Sequence, residues 1–133
     1  MYMLDTNICI YILKQRPAAV LKRFDKTRMD QICISIITYA ELKYGAERSL
    51  SKKMNLEILE EFTARLNTLN WDEEAANHYA KIRDYLEKKG TPIGNMDLLI
   101  ASHARSRGYK LVTNNPREFN RVPDLKVENW TLD

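Results

Sequence analysis

The chain has few cysteines and no long apolar run. Its 133 residues include two cysteines, Cys9 and Cys33, and both lie inside apolar stretches without Cys-x-x-Cys spacing. We therefore expect buried, reduced thiols, and neither a disulfide framework nor a zinc site. No apolar segment approaches the roughly 20 residues that a membrane-spanning helix needs, and the N-terminus lacks the basic region and cleavage site of a signal peptide. These absences predict a cytoplasmic protein that does not associate with membranes.

Histidine is also scarce, with two in the chain. His78 lies on a predicted helix without a second potential ligand four residues further on, which argues against a metal role. His103 falls on the apolar stripe of another predicted helix, and we expect it to be a core residue with satisfied hydrogen bonds. Both histidines are therefore predicted to be structural.

Apolar strands alternate with helical patterns along the sequence. This order predicts βαβ units with right-handed crossovers, and hence an α/β fold with a central parallel sheet and helices on both faces. We expect a single domain over residues 1–133. Strands are predicted at residues 1–4, 31–37, 66–71, 109–113 and 125–130, and helices at 7–14, 18–24, 38–45, 51–66, 72–89 and 98–107, with a short helical piece from Pro116.

Four acids fall near the starts of predicted helices: Asp5, Glu41, Asp97 and Glu118. Each has a local explanation. Asp5 is a good N-cap, Asp97 complements a helix dipole, and Glu41 completes a capping box in which Thr38 is the N-cap. Taken singly, these acids predict helix starts and nothing more.

The predicted parallel topology suggests that the four acids form one site. The carboxyl ends of parallel strands share one edge, so the acids should meet there. Close carboxylates raise one another's pKa unless a cation intervenes, and such oxygen ligands suit Mg²⁺, with Mn²⁺ as an alternative. The net charge is +3, from 21 basic and 18 acidic residues. With four acids in one pocket, 21 basic residues face the remaining 14 acidic ones elsewhere, a balance of +7 that favours nucleic acid.

Four segments together resemble the PIN-domain ribonucleases, and among them the VapC toxins of bacterial toxin–antitoxin pairs. The segments are residues 3–7, 35–45, 92–101 and 112–119, and the resemblance covers nearly the whole chain. It implies a PIN-like α/β/α sandwich whose active-site acids include Asp5, Glu41 and Asp97. It further implies that Asp5 and Asp97 are the direct metal ligands.

The fourth acid departs from the commoner family pattern, in which Asp stands where this chain has Asn115 or Glu118. We favour Glu118 as the fourth acid, with Asn115 and Thr113 positioning water or phosphate; a metal ligand from the Asn115 amide stays open. By the same resemblance, Thr6 and Asn7 hold a carboxylate or a water beside the first acid. Their local alternative is to continue the cap of the first helix.

The resemblance also implies an activity and partners. The activity is Mg²⁺-dependent hydrolysis of RNA phosphodiester bonds, leaving 5′-phosphate and 3′-hydroxyl ends. The motif at residues 93–97 is similar to that of enzymes that cut initiator tRNA in the anticodon stem-loop, so tRNA is the expected substrate. A homodimer is implied, together with a VapB-like antitoxin whose C-terminal segment blocks the acidic pocket through an Arg or Lys.

Two other interpretations compete with a nuclease. A phosphotransfer domain of the receiver or haloacid-dehalogenase type also places Asp at strand ends, but Asn7 replaces the second Asp of the dehalogenase motif, and no Lys follows the late strand as in receivers. The second alternative is a catalytically weak nucleic-acid or protein-binding module whose acids are only helix caps. Replacement of Asp5 or Asp97 by Asn separates these interpretations.

Overall fold

The computed structural model describes residues 1–132, and a five-stranded parallel sheet forms its centre. The strands are β1 (Tyr2–Leu4), β2 (Ile32–Ser35), β3 (Asn67–Leu69), β4 (Lys110–Val112) and β5 (Val127–Glu128). The strand order is β3-β2-β1-β4-β5, and every neighbouring pair is parallel. The predicted α/β class is therefore confirmed.

Seven helices surround the sheet within residues 1–132. They are α1 (Thr6–Leu13), α2 (Ala18–Lys26), α3 (Ile36–Glu47), α4 (Lys52–Ala64), α5 (Glu73–Lys89), α6 (Asn95–Arg107) and α7 (Pro116–Phe119). Helices α5 and α6 end where glycine was predicted to stop them, because Gly90 and Gly108 take the left-handed conformation at φ 72° and 69°.

Both faces of the sheet are buried, as expected for parallel strands. On one face Leu4 and Ile34 belong to a cluster that includes Phe62 of α4. On the other face Met3 and Leu111 pack in a second cluster with residues of α5, α6 and α7. Alternate residues of β1, β2 and β4 thus enter opposite cores, which gives the three-layer sandwich.

The predicted start of α3 is wrong. The strand ends at Ser35 and the helix begins at Ile36, so Thr38 lies inside the helix and is buried rather than acting as an N-cap. Ser35 is the N-cap, because its Oγ accepts a hydrogen bond from the Ile37 backbone N–H at 3.1 Å. The β-branched pair Ile36-Ile37 favours a strand locally, but the serine cap and tertiary packing override that preference. Glu41 is consequently a mid-helix residue, not a capping-box partner.

The two cysteines and the two histidines were predicted to be structural residues. Cys9 and Cys33 are buried and free, and burial raises the pKa of Cys33 to about 12. His103 is buried with its Nδ1 2.8 Å from Ser35 Oγ, but its Nε2 has no hydrogen-bond partner among residues 1–132, so the expectation of a fully satisfied core histidine is wrong. His78 accepts a hydrogen bond from the Arg105 guanidinium. Among residues 1–132, no helix combines the length and the apolar character needed to cross a bilayer.

The strand order places a topological switch point between β1 and β4. From β1 the chain adds β2 and then β3 on one side, and it later returns to add β4 and β5 on the other side. Consecutive crossovers leave β1 and β4 in opposite directions, which opens a crevice at their carboxyl ends. Asp5 directly follows β1 and Thr113 directly follows β4, so both border this crevice.

Shortening Ile34 tests the burial of β2, which lies between β3 and β1 in the sheet. Ile34→Val removes one methylene from a fully buried site and should lower the free energy of unfolding by about 0.5–1.5 kcal/mol. Ile58→Val is the matched control: the same change at a side chain that is 41% exposed should cost less than about 0.5 kcal/mol. Urea denaturation of both variants measures the difference, and equal losses would contradict the assigned core.

Candidate active site

Four carboxylates converge on the crevice from four different elements. Asp5 stands between β1 and α1, Glu41 lies within α3, Asp97 is in the first turn of α6, and Glu118 is in α7. Their charges act on one another: those of Asp5, Glu118 and Glu41 all raise the pKa of Asp97. The structure therefore brings together the four acids that the sequence singled out.

Asp5 is the most enclosed of the four, with 4% of its surface exposed. Its Oδ1 accepts a hydrogen bond from the Thr6 backbone N–H at 2.8 Å, as a helix cap does, and its Oδ2 accepts one from the Thr113 hydroxyl at 2.9 Å. Burial raises the pKa of Asp5, the two hydrogen bonds oppose that rise, and the charges of Glu41 and Glu118 add to it. The bond from Thr113 crosses from β4 to β1, so Asp5 is more than a local cap.

Glu41 is oriented by a threonine from another helix. The Thr6 hydroxyl donates to Glu41 Oε1 at 2.5 Å and lies 3.5 Å from the Thr38 hydroxyl. Thr38 and Glu41 are three residues apart in α3 and therefore share one face of the helix. That face is turned towards the start of α1, which places the Glu41 carboxylate beside the residue that follows Asp5.

Glu118 is held at both carboxylate oxygens. Its Oε1 accepts from the Gly94 backbone N–H at 3.1 Å, and its Oε2 accepts from the Asn115 side-chain amide at 2.8 Å. The Asn115 backbone N–H in turn donates to the Thr113 hydroxyl at 3.0 Å. This arrangement uses the Asn115 amide group as a donor that orients Glu118.

Asp97 has the most perturbed carboxyl group of the site. Its pKa is raised from 3.8 to about 7, first by burial and then by the negative charges of Asp5, Glu118 and Glu41; a hydrogen bond with Glu118 also favours the protonated form. Such clustering of like charges with burial is characteristic of functional sites. Asp97 therefore exists as a mixture of acid and carboxylate near neutral pH.

The donor set fits a hard divalent cation. All four groups are carboxylates, which suit Mg²⁺ or Mn²⁺, and a cation between them would relieve the repulsion that raises the Asp97 pKa. With the side chains as they stand, no three acids, histidines or cysteines among residues 1–132 converge closely enough to hold a metal ion. The crevice thus supplies the ligand chemistry, whereas closer approach of the carboxylates requires side-chain movement.

The predicted polar residues all border the crevice, and three others were missed. Thr6, Thr113 and Asn115 each bond to one of the acids, whereas Asn7 is exposed and donates to Asn114 Oδ1 at 3.4 Å. Sequence reasoning assigned no role to the Gly94 backbone N–H or the Asn114 amide, and it gave Thr38 only the role of an N-cap. Position next to a predicted site residue could have indicated Asn114; nothing local indicated Thr38 or Gly94, because their roles depend on how helices pack.

Comparison with known proteins gives a consistent result. The model of the PIN domain family matches residues 2–125. The chain is 48% identical over 129 residues to the tRNA(fMet)-specific endonuclease VapC of Salmonella typhimurium, covering 97% of each chain. It has the same identity and coverage with Ribonuclease VapC2 of Haemophilus influenzae.

Solved structures show the same likeness. The chain superposes on the DNA-bound VapBC structure from Salmonella typhimurium with a TM-score of 0.91 at 48% identity, covering 97% of each chain. For VapBC2 from Rickettsia felis bound to a promoter DNA fragment, the TM-score is 0.91 at 42% identity, covering 97% of this chain and 98% of that one. The fold and most of the length are therefore shared with these proteins.

The Asp97 carboxyl should make stability depend on pH. Its pKa is about 7 in the folded protein and 3.8 in the unfolded chain, so the folded state holds the proton more tightly. Stability without a divalent cation should fall as pH rises from about 4 to about 7. Asp97→Asn should flatten this dependence and be more stable than the parent at about pH 8, measured by thermal unfolding in EDTA across that range.

Asp25→Asn, at an exposed position on α2, provides the control and should keep the parent's pH dependence. If Asp97→Asn and Asp25→Asn follow the same curve as the parent, the electrostatic coupling of the four acids is wrong.

Proposed function

The chain belongs to the PIN-domain family, and from its likeness to the VapC ribonucleases we propose that it is a metal-dependent endoribonuclease. The observation that carries the proposal is the crowding of four carboxylates at the switch point, where burial and then the neighbouring negative charges raise the pKa of Asp97 to about 7. Such crowding costs stability and is explained if the carboxylates hold a divalent cation against an RNA phosphate.

Asp5 and Asp97 would hold the cation, Mg²⁺ or Mn²⁺. When bound, it lowers the pKa of a water and neutralises the charge that develops on the phosphate. The Thr113 hydroxyl fixes the orientation of the Asp5 carboxylate from the neighbouring strand. Asp97 would contribute its full negative charge if a bound cation offset the three surrounding carboxylates.

The remaining residues accept a proton or hold the acidic side chains in place. The Thr6 hydroxyl occupies Glu41 Oε1, so Glu41 Oε2 is available to accept the proton of the attacking water. Gly94 and Asn115 hold Glu118 facing the same crevice, where it is the fourth acid of the site. Attack of water on phosphorus breaks the bond to the 3′ oxygen, which leaves 5′-phosphate and 3′-hydroxyl ends. The exposed Asn7 amide lies at the mouth, where it can contact a phosphate oxygen.

We propose tRNA as the substrate. Two relatives at 48% identity are named as tRNA(fMet)-specific endonucleases, and initiator tRNA is therefore the first RNA to test. Single-stranded loops are where RNA bases can be splayed and bound, so the anticodon stem-loop is a suitable region for cleavage.

We also propose that the protein is the toxin of a toxin–antitoxin pair. A cavity of about 420 Å³ between α1, α3 and α4 has a mainly apolar lining that includes Leu42 and Leu59, with Glu41 at its edge. An antitoxin segment that filled this groove could place an Arg or Lys against the carboxylates and block the site. The chain's structural relatives include VapBC complexes, which agrees with such a partner. The homodimer stays a prediction.

The alternative of a binding module whose acids are only caps is less well supported. Asp5 does bond to the first amide of α1, as a cap would. Glu41, however, is in the middle of α3 and cannot cap it, and its carboxylate is bonded by a side chain of another helix. Capping therefore does not account for the arrangement of the acids.

Replacing Asp5 by Asn tests the metal-nuclease proposal. Asn caps a helix as well as Asp does, so the fold should persist, whereas loss of a charged ligand should lower tRNA cleavage in Mg²⁺ by at least about 100-fold. Asp72→Asn makes the same change at the N-cap of α5, where the Asp72 carboxylate faces Arg107 at 3.5 Å, and should keep cleavage at the parent's rate. Gel assays of initiator tRNA measure both.

A folded Asp5→Asn variant that cleaves as fast as the parent would show that the carboxylate is not needed. Mapping the product ends gives a second check, because a cyclic 2′,3′-phosphate would mean that the RNA 2′-hydroxyl, not water, attacks phosphorus.

Divalent cations should stabilise the parent directly. At about pH 8, where Asp97 is ionised in the free protein, added Mg²⁺ should raise the melting temperature, because the cation binds the folded state and relieves repulsion. Asp97→Asn should show a much smaller rise, while Asp25→Asn should respond as the parent does. Differential scanning fluorimetry over a Mg²⁺ titration measures the shift; an equal shift in all three proteins would contradict metal binding at Asp97.

A further inference from the structure

A second cavity adjoins the acidic crevice on the side of α1. Its volume is about 530 Å³, and its lining includes Tyr11, Lys14, Arg16 and Asn114, with Pro17 and Thr131 at the margin. None of these side chains is used by the proposed chemistry. Lys14 and Arg16 are both exposed, and neither makes a salt bridge with any residue from 1 to 132.

A chain of hydrogen bonds connects this cavity to the active-site mouth. Asn114 follows Thr113, whose hydroxyl donates to Asp5. The Asn7 amide donates to Asn114 Oδ1 at 3.4 Å, and the Asn114 amide donates to the Tyr11 hydroxyl oxygen at 2.9 Å. An RNA strand that leaves the crevice over Asn7 therefore meets Asn114 and then the Tyr11 ring.

The charges of the cavity complement a nucleic-acid backbone. The four carboxylates of the crevice repel phosphate, so a substrate strand needs cations beside them to bind at all. Lys14 ends α1 as its C-cap, and Arg16 is tied to the same helix because its backbone N–H donates to the Tyr11 carbonyl at 3.0 Å. Both cations thus start from fixed backbone positions at the edge of the cavity.

The aromatic ring gives the cavity a surface for a base. Tyr11 is half-buried, and since its oxygen already accepts from Asn114, its hydroxyl proton is available to a base or ribose. Unstacked RNA bases commonly pack on aromatic rings or on the guanidinium plane of Arg. A ring, a guanidinium and an ammonium group together match one unpaired nucleotide with its phosphate.

A peptide partner fits this cavity less well. The antitoxin segment proposed above would carry an Arg or Lys towards the carboxylates, and Lys14 and Arg16 would repel such a segment here. The groove beside Glu41 also includes Lys14, but it lacks Arg16 and most of its lining is apolar, so it offers the segment a better surface.

We propose that Tyr11, Lys14, Arg16 and Asn114 form a subsite for an unpaired nucleotide of the substrate RNA, next to the bond that is cleaved. Lys14 and Arg16 contact phosphate, and the Tyr11 ring stacks on the base. This inference rests on the proposed ribonuclease function and specifies how its substrate is held. It requires that the nucleotide beside the cleavage site is single-stranded.

The test compares two double variants that remove the same charge. In Lys14→Ala/Arg16→Ala the apparent KM for initiator tRNA should rise about ten-fold with kcat within about two-fold, and the slope of log(kcat/KM) against log[salt] should flatten by about 0.7 for each lost phosphate contact. Lys81→Ala/Lys126→Ala is the control, since both lysines are exposed and Lys126 lies at the amino end of β5, opposite the crevice. It should retain the parent's KM and salt dependence.

Variants of Tyr11 separate the contribution of base stacking to RNA affinity from that of positive charge. Tyr11→Phe keeps the ring and should retain most of the affinity, whereas Tyr11→Leu should weaken binding several-fold. Anisotropy of a fluorescent single-stranded oligoribonucleotide in EDTA measures this without cleavage, and the same RNA in a duplex should not distinguish the two variants.

The possible results distinguish failure of the subsite from failure of the nuclease proposal. If the parent cleaves tRNA but the Lys14→Ala/Arg16→Ala variant matches the control in KM, salt slope and RNA affinity, the subsite is wrong while the nuclease proposal stands. If that variant loses affinity for the antitoxin alone, the cavity is a peptide site and the inference is overturned. If the parent does not cleave RNA, the nuclease proposal fails, and a lack of difference in RNA affinity then overturns the subsite as well.

Discussion

Mutual repulsion among four carboxylates is the constraint around which this structure is arranged. Like charges in a partly buried crevice destabilise the folded chain, and burial together with these charges raises the pKa of Asp97. Three of the acids are held in place by donors from other parts of the fold: Asp5 by Thr113, Glu41 by Thr6, and Glu118 by the Gly94 backbone. Each donor fixes one carboxylate in direction, and a bound cation would require further side-chain movement to bring the carboxylates closer together.

The topology explains why the acids meet where they do. β1 is the central strand, and the reversal of strand order beside it opens a crevice between the ends of β1 and β4. In open α/β sheets this is where ligands bind, since the flanking helices leave in opposite directions and cannot cover the gap. Asp5 and Thr113 border the crevice directly from the sheet, whereas the other acids reach it from α3, α6 and α7. The rigid sheet thus carries the innermost acid.

The distribution of charge separates cation binding, in the crevice, from RNA binding on the surrounding surface. The acidic centre can bind a cation but repels an RNA strand, so affinity for RNA has to come from elsewhere on the surface. The net charge of +3 provides it in general, and Lys14 and Arg16 provide it next to the site. The neighbouring groove beside Glu41 has a more apolar lining and suits a peptide. Substrate and inhibitor would therefore occupy two adjacent cavities that share Ile10 and Lys14.

The sequence by itself determined the class of fold, and it singled out four acids whose charges act on one another in the structure. Alternating strands and helices, glycine at the ends of α5 and α6, and acids after buried strands are local signals, because they depend on hydrogen bonding and burial within a few residues. Packing decided the rest. Ser35 rather than Thr38 starts α3, the Asn115 amide serves to orient Glu118, and Asn114 links the mouth to Tyr11. These contacts could not be predicted from the sequence. Each depends on the distance and orientation of its partners, which are fixed only when the helices pack on the sheet.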